Sequence, residues 1–343
     1  MANMLIPVVL SPRIFNVEQL NDADQIKNIF ILLDFLKKCK NRAIILFDKD
    51  NIIKTYIHDY IETIKSQEFK KNIKELLILL YKTNRIIEID IKNKNAASEL
   101  FEECNSVLLL ALQEEFADII FNKNTECSGK FKIPCFREFS NIDKNRVFDI
   151  CNISQTELDE ALERSSYSTA PNQISLKEFE SKFMIPIFKY SRRLCVYDRQ
   201  IVGEGRNGSA FELTSSYKKN FIHWAKLIQI INPNLEIEIF SAINSNQSSN
   251  QSLIKKKIDE FFSILQTDHG LNIKLKILTE RKELDKQYSS LVHNRYIFTD
   301  TINFSCDRGL DIINSNNEVR DFHISLVVRD DAKAIKTYFE SLQ

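Results

Sequence analysis

Residues 291–300, Leu-Val-His-Asn-Arg-Tyr-Ile-Phe-Thr-Asp, and the later segment 307–311, Asp-Arg-Gly-Leu-Asp, decide how the C-terminal half of this chain is interpreted. Valine, tyrosine, isoleucine, phenylalanine and threonine lie close together in the first segment, which predicts a β-strand. Alternate side chains of a strand share one face, so His293 and Arg295 are expected to point the same way. That face offers an imidazole beside a guanidinium, and the acid Asp300 follows five residues after the arginine.

The spacing of these three residues, His-x-Arg-x4-Asp, resembles the His-x-Lys-x4-Asp motif of the phospholipase D superfamily. In that superfamily the histidine attacks phosphorus and the lysine binds the phosphate oxygens. The resemblance implies that His293 is a nucleophile and that Arg295 clamps the non-bridging oxygens, while Asp300 would orient the imidazole. An imidazole can act as a nucleophile near neutral pH, and a guanidinium can hold phosphate with its bidentate fork.

A closer resemblance covers most of the C-terminal half. The segments 288–295, 307–311 and 196–201 are similar to parts of the phospholipase-D-like domain at the C-terminus of MIT-domain proteins, where an H-D-R strand precedes a G-R-G-L-D turn. That family is understood as an adapter that keeps the fold, dimerises and binds acidic phospholipid. The resemblance therefore implies phosphate binding more directly than it implies turnover.

Three further residues are candidates for contacts with phosphate. Arg308 either cradles phosphate or belongs to a plain turn in which Gly309 needs a positive φ. Asp198 and Arg199 follow a strand over residues 193–197, and ligands of parallel α/β sheets collect at the carboxyl ends of the strands. We therefore expect these residues to lie near His293.

Three interpretations of this site stay open at the level of sequence. The first is phosphodiester cleavage without metal, which needs a second histidine and therefore a homodimer that pairs two copies of His293, because His223 and His323 lack a basic residue at the motif spacing. The second is phosphate or anion binding without cleavage. The third is a buried structural pair, in which Asp300 or Asp311 neutralises Arg295.

Composition limits the class of protein. Of the 343 residues, 43% are hydrophobic and 27% charged, and the formal net charge is zero, so no global charge directs the chain to nucleic acid or an acidic membrane. The seven cysteines are odd in number and none has CxxC spacing, which argues against a disulfide framework or a zinc site. We expect a soluble cytoplasmic protein, not transmembrane, with no cofactor and no metal.

The N-terminal half alternates strands and helices, which predicts a parallel sheet within an α/β domain at residues 1–128. Residues 45–50 and the stretch 104–120 resemble the outline of a PIN-type nuclease domain. PIN nucleases gather acids around divalent metal at strand ends, but here Ser11-Pro12-Arg13 and Asn122 stand at two such ends. Asp48 and Asp50 could bind metal together, or simply belong to a turn, so we expect a PIN-like shape without metal catalysis.

The remaining chain is predicted as a helical connector at 129–185 and a phospholipase-D-like α/β domain at 186–343. Two capping boxes, Ser154/Glu157 and Ser175/Glu178, predict short helices in the connector. The domain is expected to contain a short strand ending near Ile312 and a strand at 322–328.

The function expected from these features is recognition of a phosphodiester by a dimeric, metal-independent nuclease or phosphodiesterase. The pairing with a PIN-like domain suggests nucleic acid as substrate and, by analogy, a bacterial defence or toxin system. The alternative is a non-catalytic module that binds a phosphorylated ligand, an acidic phospholipid or a protein partner.

Overall fold

The computed structural model describes residues 4–18, 20–92, 102–114, 116–125, 143–170, 173–198, 201–203, 212–213, 215–243, 251–279 and 295–341. The chain divides into two compact units, Met1–Arg164 and Ser165–Gln343. Each unit combines a β-sheet with helices, so the expected fold class, an α/β chain with a parallel first sheet, is confirmed.

The sheet of the first unit has five parallel strands. They are β1 (Ile6–Leu10), β2 (Ala43–Asp48), β3 (Ile86–Ile89), β4 (Asp118–Phe121) and β5 (Val147–Asp149). Their order is β3-β2-β1-β4-β5. Every side chain of β1 and β2 is buried. A central strand of a parallel sheet is covered on both faces, which explains why these segments are continuous apolar runs rather than alternating ones.

The described part of the first unit also contains five α-helices. They are α1 (Asp22–Arg42), α2 (Ile52–Thr63), α3 (Gln67–Lys82), α4 (Glu102–Gln113) and α5 (Glu157–Glu163). Side chains cap several of these helices, since Asn21 and Ser66 accept hydrogen bonds from backbone N–H groups in the first turns of α1 and α3. For α5 the cap is Thr156 rather than Ser154 of the expected capping box.

The second unit contains a mixed sheet of seven strands and a separate two-stranded ribbon. The strands are β6 (Ser166–Thr169), β7 (Arg193–Tyr197), β8 (Val202–Gly203), β9 (Glu212–Leu213), β10 (Glu236–Ile243), β11 (Asn272–Thr279), β12 (Arg295–Thr299), β13 (Asn303–Cys306) and β14 (Phe322–Leu326). The main sheet has the order β11-β10-β7-β12-β13-β14-β6. The strands β7, β10 and β11 are parallel, and every pairing from β7–β12 to β14–β6 is antiparallel.

Helices pack on the two faces of this sheet. They are α6 (Leu176–Phe179), which continues through a π-helical turn (Glu180–Met184) into α7 (Ile185–Lys189), then α8 (Ser215–Ile231), α9 (Gln251–His269) and α10 (Arg329–Ser341). On one face, Ile237 and Ile239 of β10 line a small apolar cavity together with Trp224 of α8. On the other face, the ring of Tyr197 stacks on Phe240 at 4.6 Å and contacts Phe339 of α10 at 4.8 Å.

Two assignments made from the sequence change in the structure. The described part of the segment 129–185 is no separate connector, because β5 pairs with β4 in the first unit and β6 pairs with β14 in the second. The short strand expected to end near Ile312 is β13, which ends at Cys306, and the residues after it form the turn that carries Gly309. By contrast, Ser175 caps α6 as its capping box predicts.

The described cysteines are free thiols, and Cys39, Cys104, Cys195 and Cys306 are buried. Burial raises the pKa of Cys195 to about 11, so its thiol stays protonated at neutral pH. None of the helices that the structure describes is long and apolar enough to cross a membrane.

The buried carboxyl of Asp118, at the start of β4, gives the first unit a pH-dependent stability. Burial raises its pKa to about 6, although the Arg146 guanidinium 3.4 Å away acts in the opposite direction. Because the folded-state pKa lies above the unfolded one, this group stabilises the fold at about pH 4 and loses that contribution as pH rises through 6.

The native chain loses this contribution as pH rises, and Asp118→Asn does not. We therefore expect the free energy of unfolding of Asp118→Asn, relative to that of the native chain, to rise by roughly 1–3 kcal/mol from about pH 4 to pH 7.5. Urea denaturation at a series of pH values measures this difference. A difference that does not change with pH would contradict the assignment.

Candidate functional site

The C-terminal end of β7 and the start of β12 meet at one edge of the second sheet. Because the two strands are antiparallel, Asp198, which follows β7, lies beside Arg295, the first residue of β12. Arg295 donates from Nε to Oδ1 of Asp198 at 3.3 Å. The Asp198 side chain is fully buried, and that of Arg295 is 17% exposed. The first charged contact at the predicted site is therefore an internal ion pair.

Tyr217, in the first turn of α8, is a second partner of Asp198. Its hydroxyl donates to Oδ2 of the carboxylate. Burial, reinforced by the nearby negative charge of Asp198, raises the pKa of Tyr217 far above the ordinary value, so the phenol stays protonated and acts as a donor. Each carboxylate oxygen of Asp198 thus has a donor, and α8 is tied to the end of β7.

Gly309 packs directly against this ion pair. Its φ is +58°, and a Cβ built on it would collide with Oδ2 of Asp198 and lie 2.7 Å from Cδ of Arg295. The turn is held from the other side by Trp224, whose indole N–H donates to the carbonyl of Leu310 at 3.2 Å. Both the positive φ and the lack of space require glycine at this position.

Asp311, at the end of the same turn, belongs to a second polar group. Its Oδ1 accepts hydrogen bonds from Ser216 and from Nδ2 of Asn220, the latter at 3.2 Å, and Arg320 lies 3.9 Å away. Asn220 also exchanges hydrogen bonds with the backbone of Ile313. Asp311 therefore fixes the turn to α8, and the carboxylate that contacts Arg295 among the described residues is that of Asp198.

A buried serine, Ser241 on β10, lies beside this cluster and was not among the residues predicted from the sequence. Tyr197 pairs with Phe240, and the N–H of Asp198 donates to the Phe240 carbonyl at 2.9 Å, so Ser241 is the strand neighbour of Asp198. Its side chain is fully buried, and its hydroxyl has no hydrogen-bond partner among the described residues. The sequence contains a sign of this position, because a serine stands at 241 where the alternation of Ile237 and Ile239 leads one to expect an apolar residue.

Asp300 lies away from Arg295, at the other end of β12. Its Oδ1 accepts from the backbone N–H groups of Arg192 at 2.9 Å and Arg193 at 3.4 Å, where β7 begins. Five residues of strand separate Asp300 from Arg295 by roughly 16 Å. In the structure Asp300 fixes the start of β7.

The remaining predicted residues divide into one that is described and two that are not. Arg308 donates to the carbonyl and the carboxylate of Asp321, at 3.2 and 2.7 Å, in a surface pair. Arg308 thus forms hydrogen bonds within the protein, to Asp321, and does not point toward the predicted phosphate site beside Arg295. His293 and Arg199 lie outside the described residues.

In the first unit, polar residues at the strand ends are used for structure. Both carboxylate oxygens of Asp48 accept backbone N–H groups, from Ile52 at 2.7 Å and Ile53 at 2.8 Å, so Asp48 holds the start of α2. Next to β1, Arg13 forms a buried ion pair with Glu103 at 2.7 Å. In the described part of the chain, no group of three or more His, Cys, Asp or Glu side chains could hold a metal ion.

Comparison with protein-family models, curated proteins and solved structures finds no match to this chain. The phospholipase-D-like and PIN-like resemblances rest on the motifs alone and stay predictions.

The close packing of Gly309 against Asp198 and Arg295 can be separated from the effect of its positive φ. A second glycine, Gly270, has the same backbone conformation but no close neighbour among the described atoms. Gly270 follows α9 with φ +63°, and no described atom lies within 4 Å of the place that an added Cβ would occupy. We expect Gly309→Ala to lower the free energy of unfolding by roughly 3 kcal/mol or more, and Gly270→Ala by about 1 kcal/mol. Urea denaturation of both variants measures the difference; equal losses would show that Gly309 matters for its φ alone.

Proposed function

We propose that the second unit is a non-catalytic, phospholipase-D-like binding module that recognises a phosphate-bearing ligand at the carboxyl edge of β7, β10 and β11. The ion pair between Asp198 and Arg295 is the observation that carries the non-catalytic part of this proposal. It gives the candidate phosphate clamp a partner inside the protein.

Cleavage would need the Arg295 guanidinium to move from Asp198 to the phosphoryl oxygens on which negative charge develops in the transition state. Its partner Asp198 is fully buried, and drawing the guanidinium away would leave a carboxylate charge inside the protein. Breaking a buried pair in this way costs about 3–5 kcal/mol. The position of Asp300, roughly 16 Å along the strand, also favours binding over cleavage, because it is too far from the start of β12 to orient a group there.

The charge of the edge favours an anion. The crossover helices α8 and α9 connect parallel strands, so their N-termini lie at the carboxyl edge, and neither has an acidic residue in its first turn. A helix N-terminus attracts anions through its backbone N–H groups and dipole. Lys218 and the run 255–257 add positive charge in the first two turns. The hydroxyl of Ser241, which has no described partner, lies at the same edge beneath the surface.

We further propose that the protein acts in the cytoplasm as a homodimer, on the grounds of its cysteine usage and of the resemblance to the MIT-domain family. The ligand is defined by its phosphate group. A nucleic acid, an acidic phospholipid headgroup and a free phosphate share that chemistry, and separate binding experiments distinguish them. The enzyme interpretation is the rival and is an outcome of the cleavage test.

Catalysis is tested by incubating the full chain with single- and double-stranded DNA and RNA in EDTA, beside His293→Ala. We expect no cleavage above background in either protein, because the clamp and the acid of the motif are both engaged elsewhere. Metal-independent cleavage that disappears in His293→Ala would establish the enzyme instead.

Binding is tested by the rise in melting temperature with inorganic phosphate or pyrophosphate, at ionic strength matched with chloride. We expect Ser241→Ala to reduce that rise while the unliganded variant keeps its stability or gains about 1 kcal/mol, since a buried hydroxyl without a described partner is removed. Ser305→Ala, at a partly exposed position on β13 of the same sheet, is the control.

An oligonucleotide and vesicles containing phosphatidylserine distinguish the sources of phosphate. Binding of either that weakens in Ser241→Ala identifies the ligand class. If none of the anions stabilises the native chain, or if Ser241→Ala and Ser305→Ala behave alike, the proposed site is wrong.

A further inference from the structure

An apolar groove lies in the first unit, far in sequence from the end of β7. It has a volume of about 800 Å³ and is bordered by α2 and α3, with β2 and β3 contributing Phe47, Ile86 and Glu88. Ile57 and Ile61 of α2 form its deep part and are buried, whereas Ile78 and Tyr81 of α3 are 53% and 58% exposed. Apolar side chains exposed together in a concave surface mark an interaction site.

Lysine side chains border this apolar surface. Lys54 of α2 and Lys74 and Lys82 of α3 line the groove, and of the described residues that line it Glu88 alone is acidic. Lys54 lies 3.8 Å from the Glu88 carboxylate and 5.9 Å from the centre of the Tyr81 ring. Lys74 also forms an ion pair with Glu62 of α2, so the positive charge left over at the groove is that of Lys82, and it favours an acidic partner.

The dimensions of the groove suit a helix. Its lining on α2 runs from Asn51 to Ile61, a length of roughly 15 Å, or about three helical turns. An amphipathic helix that binds in a groove presents apolar anchors at positions i, i+3, i+4 and i+7, which span about two turns. The walls are themselves helices, so an inserted helix would pack its anchors between two helical ridges.

We propose that this groove binds an amphipathic helix of a partner protein, with apolar anchors on one face and acidic residues on its flanks. A second copy of the chain fits less well, because two such grooves facing each other would bring the positive charge of Lys82 in each copy together. The proposal concerns the first unit only and is independent of the phosphate site.

Two synthetic peptides test the proposal. Both carry leucine at the i, i+3, i+4, i+7 spacing, and their polar positions are glutamate in one and lysine in the other. Binding to the full chain is measured by fluorescence anisotropy. We expect the acidic peptide to bind at least about ten-fold more tightly than the basic one, with an affinity that falls as salt is added.

Variants on the groove are compared with matched variants elsewhere in the same unit. Ile78→Asp is expected to weaken the acidic peptide about ten-fold, and Lys54→Glu with Lys82→Glu to reverse the preference between the two peptides. The controls are Ile26→Asp and Lys40→Glu on α1, where Ile26 is 48% exposed. Both controls should leave the affinities unchanged.

Several results would overturn the proposal. These are equal binding of the two peptides, no binding of the acidic peptide, or the same loss in the α1 controls as in the groove variants. Laurate is tested in parallel as an apolar anion without helical structure. If it binds the groove and the acidic peptide does not, the groove is a site for a small amphiphile.

Discussion

The second unit depends on a carboxylate that has no contact with solvent. Asp198 is fully buried at the end of β7, and an isolated charge in that position would cost several kcal/mol. Arg295 and Tyr217 compensate for it from β12 and α8, and Gly309 leaves room for their contact. A strand, a helix and a turn from separate parts of the chain are therefore positioned by a single charged group.

The regular elements of both units follow from local patterns. The alternation of apolar residues in β10 and the continuous apolar runs of β1 and β2 are visible in the sequence. Short or polar strands give no such signal: β5 has three residues, and β6 is Ser-Tyr-Ser-Thr. Both are strands because a neighbouring strand pairs with them, and that neighbour is distant in sequence.

The site is less predictable than the fold, for reasons that individual residues make clear. The alternation and strand order place Asp198 and Arg295 at one edge, but the contact between residues 97 apart depends on the tertiary structure. For Asp300 the sequence alone is sufficient, because a strand that runs from Arg295 to Thr299 separates the two side chains by its own length. Asp48 and Asp300 both lie at strand ends and accept hydrogen bonds from backbone N–H groups. A sequence motif does not distinguish this structural role of an acid from a catalytic one.

The pairing of β6 with β14 has a consequence for how the second unit is made in the cell. Its first strand in sequence closes the sheet against its last, so that Ser168 and His323 meet across 155 residues. During synthesis, β6 and β7 leave the ribosome long before β12 and β14 exist. Asp198 therefore stays hydrated until Arg295 has been synthesised. The strand β6 has no partner until β14 follows, near the end of the chain. Long-range pairing of this kind is slow to form and leaves strands available for wrong pairings while the unit folds.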